Sequence, residues 1–445
     1  MKYHILSFLI SWIFPNKKLR SEFRNFCKKA QNERNVQKIQ LHYKKVLKTL
    51  KRKFKKKIKI VFLSTTTSKF AYKYIYNAFN KYKNYDVQIL LYPYQFEVKK
   101  MSSNFKNKLK NNFDYFKMLG YNVDYAFDFK KNEYKKLSQF KPDIVFFEQP
   151  YDDVMPKEFK VNNIYKNTLP MFVGYGSQIT NGKCEYTPAL YKQVFAYFVD
   201  NPYIKDFLIS KHGFEGSNIV VSGHPKLDAY LEGINYSNQI WKTVTKKRVI
   251  WAPHFSFYEK SILRYGTFDW NYKFLYNFAK NHPEIEFIFK PHPEIKRFIA
   301  ASKLMRIDEL QQYYDQWDEL ANAQLYEDGE YMDMFRTSDC MITDCNSFLY
   351  EYLLTKKPII HLIRKTSVGH NKFGQELIRG YYPARDLNEL EAQIKSVVIE
   401  GNDPLLPVRL DIIKNVLCQP DINGGVAQYI ADYVNTCIEN GEREI

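Results

Sequence analysis

Residues 338–362, SDCMITDCNSFLYEYLLTKKPIIHL, constrain the fold of this chain more than any other stretch. A short apolar run, Cys340 to Thr343, ends in Asp344, small polar residues then open a helical pattern, and the apolar run 358–362 follows Lys356-Lys357. The spacing predicts strand, tight turn, helix, strand. Two strands joined through a helix are parallel, which selects the α/β class. The turn carries the chemistry: a helix N-terminus has unpaired backbone N–H groups and about half a positive charge from its macrodipole, so an anion fits there. Asp344 is expected to cap the helix, and Asn346 and Ser347 to add donors beside the free amides. Glu351 lies four residues after Ser347 on the same helix face, within reach of the ribose hydroxyls of a nucleotide whose phosphate sits on those amides. A capped core helix with no ligand explains this stretch equally well when it is taken alone.

The rest of the body repeats the pattern. Strands are predicted at 58–63, 87–91, 144–147, 171–173 and 220–222, alternating with helical stretches such as 70–82, and a second βα series follows with strands at 249–251, 285–289, 340–343 and 358–362. Helices are expected at 270–280, 388–399 and 426–437. The first strand, IKIVFL, runs into Ser64-Thr65-Thr66-Thr67-Ser68 without a GxGxxG turn, so dinucleotide binding by that half is not indicated. At 445 residues the chain exceeds one ordinary core, and the pattern divides it into a basic helical arm (1–57), a first Rossmann-like domain (58–235), a second (246–420) and a terminal helix (421–445) expected to cross back to the first domain.

Ligands of open parallel sheets collect at the carboxyl ends of the strands, so the residues there are the candidates. In the first half these are Glu148 and Asp152 after one strand and Gly174-Tyr175-Gly176-Ser177 after another, with Gly223 to Asp228 (GHPKLD) forming a turn after a third. That turn reads equally well as a link between domains. In the second half His254 and Ser256 follow one strand, Lys290 and His292 follow the next, and the Asp344 turn follows the third. A lone histidine is usually structural; three anion-suited strand ends in one sheet point to a phosphate-handling site.

The formal net charge of +19 is not spread evenly: residues 1–59 hold 19 Lys or Arg against Glu22 and Glu33, leaving about +2 for the other 386. Residues 3–14 are apolar but fall well short of the roughly 20 that span a bilayer, and no small-residue cleavage site follows them. An apolar patch with Trp12 at its edge, followed by a polybasic helix, predicts an anchor on an anionic membrane surface; a solvated basic helix is the plainer alternative. Residues 99–117 form a second basic stretch, expected to be a solvated helix face. No base-reading module accompanies the arm, so nucleic acid is not an expected partner. Six scattered cysteines without ligand spacing predict a reduced, cytoplasmic protein with no structural zinc, peripheral on the inner face of the membrane.

GHPKLD, WAPHFS, KPHPE and the 338–360 stretch, in that order and spacing, resemble the CDP-glycerol:poly(glycerophosphate) glycerophosphotransferases, which build teichoic acid and related capsule polymers. The resemblance covers roughly residues 140–400. It implies a GT-B fold, with two Rossmann-like domains facing across a cleft and the donor nucleotide held mainly by the second, and it implies peripheral membrane attachment. By position, His292 is similar to the family histidine of the K-x-HP motif, expected at the donor pyrophosphate. Asp344, Asn346 and Ser347 stand at the family's T-D-x-S-S turn, Glu351 stands in place of a family aspartate, and Gly223, Pro225, Lys226 and Asp228 follow its G-x-P-R-x-D pattern. The family's Trp-His-Gly motif is replaced by Gly174-Tyr175-Gly176, and a phenol of ordinary pKa near 10 is a poor base at neutral pH.

The resemblance implies transfer of a glycerophosphate-type group from CDP-glycerol or a related CDP-alditol to a hydroxyl of a polysaccharide or lipid-linked acceptor, with release of CMP. Catalytic candidates are His292, His254, Glu148 and Tyr175; donor-binding candidates are Lys290, Ser256, Gly223, Asp344, Asn346, Ser347 and Glu351. No cofactor is obligatory in this reading, and Mg²⁺ is not indicated because no clustered carboxylates suit it. A GT-B glycosyltransferase using a nucleotide sugar is the enzymatic alternative, and a non-catalytic binder of anionic polymer the alternative of another class.

Overall fold

The computed structural model describes residues 17–444 except 68, 69, 71, 100–103, 152, 153, 183–187, 231–236, 238, 244, 245, 260, 262, 328–330 and 418–423. The apolar patch at 3–14 with Trp12, the candidate Asp152, part of the 99–117 stretch and much of the link between the two series lie outside the described residues.

Seven strands form the first sheet: β1 (Ile58–Ser64), β2 (Tyr85–Leu91), β3 (Val123–Tyr125), β6 (Ile144–Phe147), β7 (Leu169–Val173), β8 (Ala196–Val199) and β9 (Ile219–Val221). A small antiparallel pair, β4 (Phe127–Asp128) with β5 (Glu133–Tyr134), stands beside it. The second sheet holds β10 (Lys247–Ala252), β11 (Ile285–Phe289), β12 (Ala323–Leu325), β13 (Cys340–Thr343), β14 (Ile359–Leu362) and β15 (Tyr382–Ala384). Their orders are β3-β2-β1-β6-β7-β8-β9 and β12-β11-β10-β13-β14-β15, with every pairing in both sheets parallel. Each sheet starts in its middle and reverses direction once. The reversal separates β1 from β6 in the first sheet and β10 from β13 in the second, and crevices open at the carboxyl ends of such pairs. Strands such as IVFF of β6 and IEFIF of β11 are buried along their whole length, as helices on both faces of a parallel sheet require.

The arm's helix, Lys17–Lys53, is not a detached appendage. Ile39, Tyr43, Val46, Leu47 and Leu50 are buried in the core of the first sheet, while Lys44, Lys45 and Lys48 stay exposed. Tyr43 Oη donates to the Gln193 carbonyl at 2.6 Å and Lys53 pairs with Asp143 at 2.5 Å. The expected solvated helix of the second basic stretch is Asn104–Met118, yet Phe105, Leu109 and Phe116 are buried, so its apolar side packs on the sheet. Among the described residues no helix is long and apolar enough to cross a membrane.

The chain's last described helix, Gly425–Asn440, packs against the first sheet's layer, on the helices Lys73–Asn80 and Lys17–Lys53. Asp228 of the GHPKLD turn accepts from the N–H groups of Val426 and Ala427 at 2.8 Å each, capping that helix from 198 residues away. The stretch predicted as one helix over 388–399 is instead Leu387–Gln393 followed by a wider turn of π type at Ile394–Ile399.

Candidate functional site

A cleft of about 240 Å³ opens where the carboxyl edges of the two sheets meet. The first domain lines it with Glu148, the loop from Gly174 to Gln178, Tyr197 and Asp200; the second supplies His254, His292, Asn346 and Ser347. Contact between the halves is close. A Cβ on Gly176 would stand 3.6 Å from Ser347 Cβ, and one on Gly374 would collide with the Ile179 carbonyl oxygen at 2.1 Å. The loop after β7 is stitched to the loop after β14: Asn181 N–H donates to the Gly369 carbonyl, Asn371 N–H to that of Ile179, and Asn371 Nδ2 to that of Gln178 at 2.8 Å. One side of the cleft is thereby held shut.

Asp344 is 1 % exposed and does not cap the helix Asn346–Leu353; the cap is Cys345, and no side chain bonds to the first amides. Its Oδ1 instead accepts from His254 N–H at 2.5 Å, and its Oδ2 accepts from Thr267 N–H at 2.5 Å and Thr267 Oγ1 at 2.6 Å. Burial pushes this carboxyl up to about 7, against the downward pull of those hydrogen bonds. The aspartate therefore braces the loop after β10 against the turn after β13 and leaves the helix amides at Asn346 and Ser347 facing the cleft.

His254 is 9 % exposed, and Ser256 fixes its tautomer. Ser256 Oγ accepts from Tyr265 N–H at 2.9 Å and Gly266 N–H at 3.2 Å, so its own proton is directed to His254 Nδ1 at 2.7 Å. The ring proton then sits on Nε2. Burial pulls the imidazole down to about 3, so the ring is neutral at physiological pH and acts as a donor, which removes it from the candidate bases. His292 is oriented the same way, its Nδ1 accepting from Glu294 N–H at 3.1 Å, and the two rings stand 5.0 Å apart. Two imidazole rings with Nε2–H and the start of a helix thus line one cleft, an arrangement suited to the oxygens of a pyrophosphate.

Other candidates are placed elsewhere. Glu351 is 1 % exposed; its Oε1 accepts from Lys226 Nζ at 2.7 Å and its Oε2 from Tyr331 Oη at 2.6 Å, so the carboxylate is engaged in a buried ion pair and is not aimed at a ribose. The same Lys226 ties the turn after β9 to the second domain. Gly223 opens that turn with φ +82° and does not line the cleft. Lys290 is also outside the lining, with Nζ over the rings of Tyr326 at 4.9 Å and Tyr331 at 5.7 Å. Glu148 does line the cleft but is 1 % exposed, accepting from Thr65 N–H and Oγ1 at 3.0 Å and from Ser64 Oγ at 3.1 Å. It locks β1 to β6 at the switch point.

Asp200 is among the lining residues that the sequence did not single out. It follows β8, a strand overlooked in the run VFAYFV, although Asn201-Pro202 behind it is a strong helix-start signal: Asn201 Oδ1 accepts from Ile204 N–H at 3.2 Å and Pro202 is the first helical residue.

Comparison with known proteins agrees with this architecture. The model of the CDP-Glycerol:Poly(glycerophosphate) glycerophosphotransferase family matches residues 184–366. The teichoic acid ribitol-phosphate polymerase TarK of Staphylococcus aureus (strain NCTC 8325 / PS 47) is 25% identical over 162 residues, 35% of this chain and 29% of TarK, so the match spans less than a third of that relative. The wall teichoic acid polymerase TagF superposes with a TM-score of 0.54 at 16% identity, over 93% of this chain and 98% of the TagF chain. S. aureus MnaA with UDP gives 0.55 at 13%, over 87% and 99%. At such identities the two structures speak for the fold alone, which is GT-B. The stretch 184–366, which contains GHPKLD, WAPHFS, KPHPE and residues 338–360, is thus similar to the CDP-glycerol:poly(glycerophosphate) glycerophosphotransferase family.

Proposed function

We propose that the protein transfers a glycerophosphate-type group from CDP-glycerol, or a related CDP-alditol, to a hydroxyl of a cell-surface polysaccharide or lipid-linked acceptor. The observation that carries this reading is the convergence of His254, His292 and the amides at Asn346 and Ser347 on one cleft whose opposite wall is the first domain. The match of residues 184–366 to the family model supports it, and so does a TagF variant soaked with CDPG, which has this fold.

In this reaction the acceptor hydroxyl attacks the phosphorus distal to cytidine, that phosphorus loses its bond to the bridging oxygen, and CMP departs with the bonding pair. The work of the site is positioning and stabilisation of charge on the phosphoryl oxygens. Neutral imidazole donors and helix amides do this without reorganisation, because their partners already fix them. The reading calls for no resident metal ion, since imidazole and amide donors take the phosphoryl charge. The exposed lysines of Lys17–Lys53 face an anionic membrane leaflet, which keeps the enzyme beside a lipid-linked acceptor at the inner face of the cell membrane.

Incubation with CDP-glycerol and with a panel of nucleotide sugars, followed by assay of released nucleotide, tests the assignment. CMP release from CDP-glycerol is expected. Release of UDP alone would replace this reading with a nucleotide-sugar glycosyltransferase, the alternative favoured by Tyr175 standing where the family has a histidine.

A further inference from the structure

We infer that Asp200 is the general base that activates the acceptor hydroxyl, taking over the task of the histidine that Tyr175 replaces. This inference rests on the transfer reading above and names a residue of the same site.

The argument begins with direction. The donor's phosphates are held from the second domain by His254, His292 and the helix start at Asn346, so the face of the distal phosphorus open to attack looks toward the first domain. A base must stand on that wall. The wall's ionisable residues are few, and most are committed. Glu148 is saturated by Ser64 and Thr65 and serves the β1–β6 junction. Tyr197 is buried and donates to Gln178 Oε1 at 2.6 Å, and burial raises its phenol well above 10. Tyr175 is a phenol too. From the facing domain, His254 and His292 each present Nε2–H with Nδ1 already accepting, and Asp344 spends both oxygens on His254 and Thr267.

Asp200 differs from all of these. It sits at the carboxyl end of β8, partly exposed in the cleft lining, and the helix behind it is capped by its neighbour Asn201, so helix capping does not occupy it. Its partners are the N–H of Gln178 and the hydroxyl of Ser177, which lies close by without the full geometry of a hydrogen bond. Both belong to the loop stitched to Asn371, so the carboxylate is held by a fixed element. Burial raises it to about 6, above an ordinary aspartate, which strengthens it as a proton acceptor while leaving it ionised at neutral pH.

The step balances simply. The acceptor O–H proton passes to an Asp200 carboxylate oxygen as the hydroxyl oxygen forms its bond to the distal phosphorus, and CMP leaves as the bridging P–O bond breaks; solvent then takes the proton from Asp200.

The test compares wild type, Asp200→Asn and Asp200→Glu. CMP release from CDP-glycerol in the presence of a lipid-linked glycerol phosphate acceptor is followed between pH 5 and 8, and CDP affinity is measured by calorimetry. Asp200→Asn should lower kcat by about 10²- to 10⁴-fold, abolish the acid limb expected of the wild type, and leave CDP affinity within about twofold. Asp200→Glu should recover part of the rate with the limb displaced. An Asp200→Asn enzyme with the wild-type kcat, or one that keeps the acid limb, overturns the base assignment alone. A wild type that releases no CMP from CDP-glycerol overturns the transfer reading and this assignment with it.

Discussion

Lys226→Met tests the buried clamp between the turn after β9 and the second domain. Lys226 Nζ donates to Glu351 Oε1 at 2.7 Å and to Tyr331 Oη at 2.8 Å, with side-chain exposures of 14% for the lysine and 1% for the glutamate. Removing the ammonium leaves a carboxylate out of water with Tyr331 Oη as its remaining described donor. Breaking a buried pair in this way costs about 3–5 kcal/mol, and the surviving tyrosine bond favours the lower end. At about 2–4 °C per kcal/mol for a domain of this size, the melting temperature should fall by about 6–12 °C. Glu351→Gln removes the charge and keeps a shape that still accepts from Lys226, so it should cost less, about 1–2 kcal/mol. The double variant should be more stable than Lys226→Met, because the stranded charge is gone. Thermal melts of the four proteins give the cycle, and CDP affinity of Glu351→Gln should match wild type. A Lys226→Met protein within about 1 kcal/mol of wild type, or a tenfold loss of CDP affinity in Glu351→Gln, would return Glu351 to the nucleotide and refute the clamp.

Ser256→Ala deletes three hydrogen bonds and strands the buried amides of Tyr265 and Gly266, so stability should fall by about 2–4 kcal/mol, while the Ser256 N–H at 3.3 Å still donates to His254 Nδ1 and turnover should fall by about tenfold or less; an unchanged melting temperature would contradict the bracing of this loop. Replacing Lys44, Lys45 and Lys48 with Glu should abolish co-sedimentation with anionic vesicles and spare CMP release, whereas deletion of residues 1–57 should unfold the first domain, since it removes Ile39, Tyr43, Val46, Leu47 and Leu50 from the core. His361 of β14 is buried and pulled down to about 3 by burial, below its unfolded value near 6.5, so the stability it confers is complete above that value and is lost as pH falls toward 3. His361→Gln should accordingly flatten the pH dependence of stability in that window by up to one proton per molecule, as read from denaturation midpoints.

The parallel α/β architecture was legible because its central strands are apolar runs followed by polar turns. IVFF and IEFIF are buried throughout and IKIVFL at every position but Lys59, and burial on both faces leaves a strong local signal. The edge strands β3, β12 and β15 hold three residues each and carry no such signal. At the site, sequence located the strand ends, so His254, His292, Asn346 and Ser347 do meet in one cleft. It could not reveal what each side chain does there. Asp344 spends its oxygens on Thr267, 77 residues away, and Glu351 spends its own on Lys226, 125 away. Local spacing described both as surface-facing groups near a helix start; long-range hydrogen bonding made them internal.

Asp228 holding the start of Gly425–Asn440 has a consequence for the order in which the polypeptide can mature. Val426, Ile430, Val434 and Ile438 fill the same core as β1 and the helix Lys73–Asn80. A nascent chain that has emerged only as far as β9 lacks that filling, so the seven strands of its first sheet can assemble but cannot seal. One core cluster of the second sheet, drawn from residues 249–398, is complete before that helix and is free to close earlier. Synthesis thus delivers the first domain first and finishes it last, when the Asp228 carboxylate meets the last helix.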